Sequence, residues 1–95
     1  MQRIHISKTE LVSRNPEIIF SIIDNEVIIM DIKTDRYIQL DTIASDIWNI
    51  LSEELSIENL CKILQAKYDV SEEECFEHVN SFLIEMWENN FIKIN

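Results

Sequence analysis

Cys75 and His78 stand three residues apart in a stretch of helical periodicity, so their side chains can share a face and form half of a metal site. Nothing in the chain completes it: the other cysteine is Cys61, the other histidine is His5, and there is no C-x-x-C. A small core thiol and a solvated histidine beside Glu74 and Glu77 is the reading this spacing favours, and no disulfide is expected. Serines, histidines and acids are plentiful, but no spacing sets a nucleophile beside a base. Glycine is absent altogether, which excludes the G-x-G-x-x-G and G-x-x-x-x-G-K loops, because both need backbone that approaches phosphate with no side chain in the way. The residues therefore predict no catalytic centre, no metal and no cofactor.

The chain must then act by contact. Its 95 residues suffice for one small core, and 18 isoleucines, four phenylalanines and two tryptophans can fill it. The 18 acids outnumber the 8 Lys and Arg, giving a net charge of −10, and the excess is local. Residues 1–36 carry six acids and five bases; residues 37–95 carry twelve and three. Such a surface repels phosphate backbones and anionic lipid, so it points to a protein or peptide partner, or else serves solubility alone. No apolar run approaches a membrane span of about 18 residues, and Met1-Gln-Arg-Ile-His-Ile-Ser-Lys8 lacks an apolar signal core, so a cytoplasmic location is expected.

The elements that position contact residues change period once, near residue 41. Ile18–Ile23 and Val27–Ile32 are short β-branched runs separated by Asp24-Asn25-Glu26, residue types that suit a turn, and they read as a hairpin. After the turn Lys33-Thr-Asp-Arg36, Tyr37–Leu40 makes a third strand and completes a meander. Residues 1–15, polar and followed by the single proline Pro16, read as an irregular arm with a strand fragment at Ile4–Ile6; residues 16–95 form the domain. Asp41, Ser56 and Ser71 each suit an N-cap of a following helix, the last as a capping box with Glu74, and Phe91–Ile94 is a terminal extended segment. The predicted fold class is α+β, winged-helix-like: a three-stranded antiparallel meander followed by three helices.

A winged helix raises DNA binding, with the third helix in the major groove. Between Tyr68 and Ile92 there is no Lys or Arg, while seven acids lie there, so nucleic-acid recognition is disfavoured. The same helix has an apolar stripe of Cys75, Val79, Phe82 and Met86 that Phe76, Leu83, Ile84 and Trp87 widen to about half its circumference. Either it is buried on two sides or it walls an open groove. A short edge strand at Tyr37–Leu40 beside such a groove is what β-augmentation requires: an extended peptide pairs with the edge and drops alternate side chains against the helix.

The stretch Asn25-Glu-Val-Ile-Ile-Met-Asp-Ile-Lys-Thr-Asp-Arg-Tyr-Ile-Gln-Leu-Asp-Thr-Ile-Ala-Ser-Asp-Ile-Trp-Asn-Ile-Leu51 resembles the PqqD-like family of peptide chaperones, also called RiPP recognition elements. Downstream, Ser56-Ile-Glu-Asn-Leu60, the Tyr68-Asp-Val70 turn, Val79-Asn-Ser-Phe-Leu83 and Phe91-Ile92 are similar to the family's later helices and end. The resemblance implies a non-catalytic protein that binds the leader of a ribosomally made precursor peptide as an added strand between the third strand and third helix. It also implies presentation of that leader to a modifying enzyme, whether a lasso-type peptidase and cyclase system or a radical enzyme. It assigns Arg36, Tyr37, Ile38, Gln39 and Leu40 to the pairing edge and Phe76, Asn80, Leu83 and Trp87 to the helix wall. Two departures stand out: Asp35, and the Ile43-Ala44 region, occupy places where the family often has glycine. A winged-helix regulator and a small accessory subunit of a larger enzyme are the alternatives; the product pathway and the oligomeric state, a dimer among the possibilities, stay open.

Overall fold

A computed structural model describes residues 5–95. Six strands and three helices follow in the order β1 (Leu11–Arg14), β2 (Ile19–Ile23), β3 (Glu26–Asp31), β4 (Arg36–Gln39), α1 (Thr42–Ile50), β5 (Leu55–Ser56), α2 (Ile57–Lys67), α3 (Glu72–Glu88) and β6 (Ile92–Ile94). The expected meander is present as an antiparallel sheet β2-β3-β4, and the three helices follow it.

Local chemistry explains the boundaries. The β2-β3 turn places Asp24 and Asn25 at φ 51° and 66°, and Asp35 in the β3-β4 turn has φ 56°. These are left-handed conformations that Asp and Asn tolerate better than other side chains, so Asp35 holds the backbone shape a glycine would take there. Each helix opens on the expected cap: Asp41 accepts from the Ala44 N–H, Ser56 from Asn59 and Ser71 from Glu74.

The arm differs from expectation. Residues 11–14 are not irregular but form β1, the centre of a second antiparallel sheet, β5-β1-β6. Val12 is fully buried there, and so is Ile6. The strand fragment expected at Ile4–Ile6 begins outside the described residues, and His5–Ser7 belong to no strand. Arg14 joins the two sheets by stacking on Phe20 and Trp48, at 5.0 and 5.4 Å from their ring centres.

One side chain fastens the meander to the helices. The Ser45 hydroxyl, buried in α1, accepts from the Val27 N–H (2.9 Å) and donates to the Leu40 carbonyl (3.2 Å), while the Leu40 N–H donates to the Val27 carbonyl (2.8 Å). The hydroxyl is thus inserted in the last rung of the β3-β4 ladder. The core behind it is built from Val27, Ile29, Leu40, Trp48, Leu51, Leu60 and Leu83, all at most 5% exposed.

Candidate functional site

The β4 strand lies at the sheet margin, and its outer edge faces a furrow whose opposite wall is α3. Because Leu40 gives its N–H to Val27, strand alternation turns Ile38 toward β3 as well and sends the N–H and C=O groups of Tyr37 and Gln39 to the open edge. The side chains alternate the other way: Ile38 and Leu40 turn inward, and Tyr37 stands 74% exposed.

Beside this edge a depression of about 280 Å³ is lined by Ile38, Gln39 and Leu40 on one side, Ala44 beneath, and Phe82, Glu85, Met86 and Asn89 on the other. Through Asp41, Ala44 and Phe82 it continues into an apolar depression of about 260 Å³ between α1 and α3, which Ile47, Tyr68, Val70 and Val79 help to line. Through Asn89 and Phe91 it continues the other way into one of about 250 Å³ near Ile18 and Met30. The first two make an apolar furrow along α3, open beside a strand edge with unpaired peptide groups, and the third, bordered by Asn15, Glu17, Asp31 and Lys33, gives it a polar end past the helix. The furrow is shaped to take an extended chain.

The structure divides the nine sequence-predicted residues. Arg36 to Leu40 form β4 and the residue after it, and Ile38, Gln39 and Leu40 line the furrow. Phe76, Asn80, Leu83 and Trp87 do not line it. At 100° per residue their mean direction is turned by about 130° from Phe82, onto the other side of the helix. Leu83 is fully buried core. Asn80 spends its carboxamide on the N-terminal segment, its Oδ1 accepting from the Ile6 N–H (3.2 Å) and its Nδ2 donating to the Ile6 carbonyl. Phe76 meets the His5 ring edge-on at 5.6 Å and carries the Lys8 ammonium 5.4 Å above it. Trp87 is half-buried against the core. The furrow wall is instead the stripe of Cys75, Val79, Phe82 and Met86, with His78, Glu85 and Asn89 at its margins. The signal for it was in the sequence as the narrower apolar stripe, which the wider face obscured.

Cys75 and His78 both border the furrow, Cys75 buried and His78 exposed. The Cys75 thiol points at the Cys61 carbonyl (3.9 Å), and burial pushes the Cys61 thiol up to about 12. Among the described residues no group of three or more His, Cys, Asp or Glu gathers as metal ligands.

A polar clasp joins α1 to the end of α2 beside the furrow. Lys67 lies 2.8 Å from Asp46, and the Tyr68 hydroxyl donates to the same carboxylate. These two bonds, Lys67 first, hold the Asp46 carboxyl below the usual carboxylate range. Since the folded value lies under the unfolded one, the stabilisation is complete above the ordinary aspartate range, about 4, and is lost as pH falls through the folded value. An Asp46→Asn variant should be less stable by about 1 kcal/mol at neutral pH. Denaturant unfolding at pH 7 and in acid checks this: the two proteins should differ at pH 7 and converge in acid.

The arrangement is that of a winged-helix-like α+β domain with an open sheet edge against an apolar helix. Residues 26–92 match the model of the family described as Coenzyme PQQ synthesis protein D (PqqD), and the chain belongs to the PqqD family. Its fold is similar to that of TbiB1, solved in complex with the TbiA(beta) leader peptide, with a TM-score of 0.78 and 23% identity over 85% of this chain and 94% of that one. No curated protein sequence matches significantly. Among the described residues no helix is long and apolar enough to cross a membrane.

Proposed function

We propose that this protein is a non-catalytic peptide chaperone that binds the leader of a ribosomally made precursor peptide as a strand added to β4, and presents it to a peptide-modifying enzyme or leader peptidase. The observation that carries this is the open β4 edge, with Tyr37 and Gln39 facing outward, set beside the apolar α3 furrow. Membership of the PqqD family supports it, as does a fold shared with a protein solved bound to a leader peptide. Ile38, Gln39 and Leu40 form one wall of the docking site, and Phe82, Glu85, Met86 and Asn89 the other. A DNA-binding regulator is not favoured, since the exposed side of α3 carries Glu73, Glu77, Glu85 and Glu88 and no Lys or Arg.

The test is a titration of the protein with a synthetic leader from a precursor encoded beside it, and in parallel with duplex DNA. Saturable binding of the leader and none of DNA is expected; DNA binding without leader binding would overturn the proposal. Charge gives a second measurement on the same complex. The furrow margin holds Asp41 and Glu85, so a leader with Lys or Arg near its docking segment should associate faster at low salt. Stopped-flow rates should show the on-rate falling with salt while the off-rate, set by the apolar contacts, stays nearly constant.

A further inference from the structure

The meander has two margins, and β4 is only one of them. At the other lies β2, Ile19-Phe-Ser-Ile-Ile23. Natural sheets blunt such an edge with charge, proline or a bulge, because an open apolar strand templates pairing with another chain. Here nothing blunts it: residues 18–23 carry no charge and no proline, and β2 pairs with β3 in unbroken register from Ile19 to Ile23. Ile19, Ile22 and Ile23 are 46%, 54% and 55% exposed, in a chain whose net charge is −10.

The direction of the free peptide groups follows from β3. Val27 gives its N–H to Ser45 and its carbonyl to Leu40, both on the β4 side, so it offers nothing to Ile22 opposite. Ile22, and by alternation Phe20, therefore turn their N–H and C=O groups to the open edge. This pattern is self-complementary. A two-fold axis at Ser21 sets Phe20 opposite Ile22 of a second copy, twice, as hydrogen-bonded pairs, and sets Ile19 opposite Ile23 on the outer face. The small Ser21 side chain meets its own copy at the axis. Charge is compatible with that register: Asp24 falls opposite Ile18, and Glu17 opposite Asn25, so no acid of the edge faces an acid.

We propose that β2 is a self-association edge, through which two copies join antiparallel into one six-stranded sheet with the β4 edges at its far ends. The occupant is a second copy because this uncharged edge sets isoleucine against isoleucine or phenylalanine and brings no acid opposite an acid, in a hydrogen-bond phase that permits the pairing. A contact of this length buries less than about 1,200 Å², which places it among weak, concentration-dependent associations. The proposal does not depend on what β4 binds.

Sedimentation of the full chain from about 10 μM to about 1 mM should show the mass rising from monomer toward dimer, the range expected for a small interface. Added salt should strengthen the dimer by screening the net charge of each copy. Ile22→Pro removes an N–H that faces only the open edge and should weaken association at least about ten-fold, while Gln39→Pro, at the other margin, should leave it unchanged. Ser21→Cys tests the register directly: opposed cysteines at a non-hydrogen-bonded pair can be bridged, so oxidised glutathione should yield a cross-linked dimer. Ile23→Cys, opposite Ile19 of the other copy, should not cross-link. A monomer throughout the range would overturn the proposal. So would a dimer that survives Ile22→Pro, which would place association on another surface such as the exposed sheet face around Tyr37, or equal cross-linking of the two cysteine variants.

Discussion

A Gln39→Pro variant should fold like its parent and bind leader peptide at least about ten-fold more weakly, whereas Ile38→Pro, one residue away, should lose about 3 kcal/mol of stability. The contrast comes from one hydrogen bond. The Leu40 N–H reaches the Val27 carbonyl at 2.8 Å, so Ile38, two residues earlier, donates inward to β3 and Gln39 donates outward. Proline at Ile38 therefore deletes a rung inside the sheet, and at Gln39 it deletes a donor that only an added strand would use. The Gln39 side chain also bonds Glu26 at 2.8 Å on the exposed face, and Gln39→Ala isolates that smaller effect. Because the proline ring adds some instability at either position, binding is compared at matched folded fraction, by urea unfolding beside fluorescence titration. If both variants, once folded, bound leader like the parent, the peptide would have to dock away from β4.

Phe82 and Leu83 should give opposite phenotypes although they are adjacent. Leu83 is fully buried, so Leu83→Ala should lower stability by about 2 to 5 kcal/mol and leave the leader affinity of the folded fraction near that of the parent. Phe82 is half-buried and lines two connected parts of the furrow, so Phe82→Ala should weaken leader binding by about 1 to 3 kcal/mol with a smaller loss of stability. Trp87→Ala should follow the Leu83 pattern, since Trp87 packs against the core and not along the furrow. Affinity lost on Leu83→Ala and kept on Phe82→Ala would restore the other face of α3 as the peptide wall.

These expectations also mark what could be seen from residues alone. Caps and turns were legible because their causes are local: Asp41, Ser56 and Ser71 bond to amides three residues on, and Asp24 and Asn25 adopt left-handed backbone within one turn. The β4 edge was legible for the same reason, since a meander places consecutive strands side by side. β1 was not. Leu11-Val-Ser-Arg14 has too little alternation to declare itself, and its partners, β5 and β6, lie about 40 and 80 residues away along the chain. The orientation of α3 failed on similar grounds. Apolar residues on about half its circumference leave the rotation undetermined, and what fixes it is the docking of Ile6 on Asn80, 74 residues apart. Asn80, which the family resemblance assigns to the peptide wall, has its amide already satisfied by the chain's own backbone.

The Ser45 hydroxyl, held between Val27 and Leu40, determines where the entropy of docking is lost. It ties the end of β4 to the first turn of α1, so that, in the docking mode proposed above, the pairing edge and the Ala44 floor of the furrow are already joined before a peptide arrives. A receptor already ordered surrenders little configurational freedom on binding, and the loss falls on the incoming chain, at about 1 to 2 kcal/mol for each residue it straightens. Stiffening the protein further would then gain almost nothing, while a leader mimic cyclised into an extended strand would recover much of that loss as affinity.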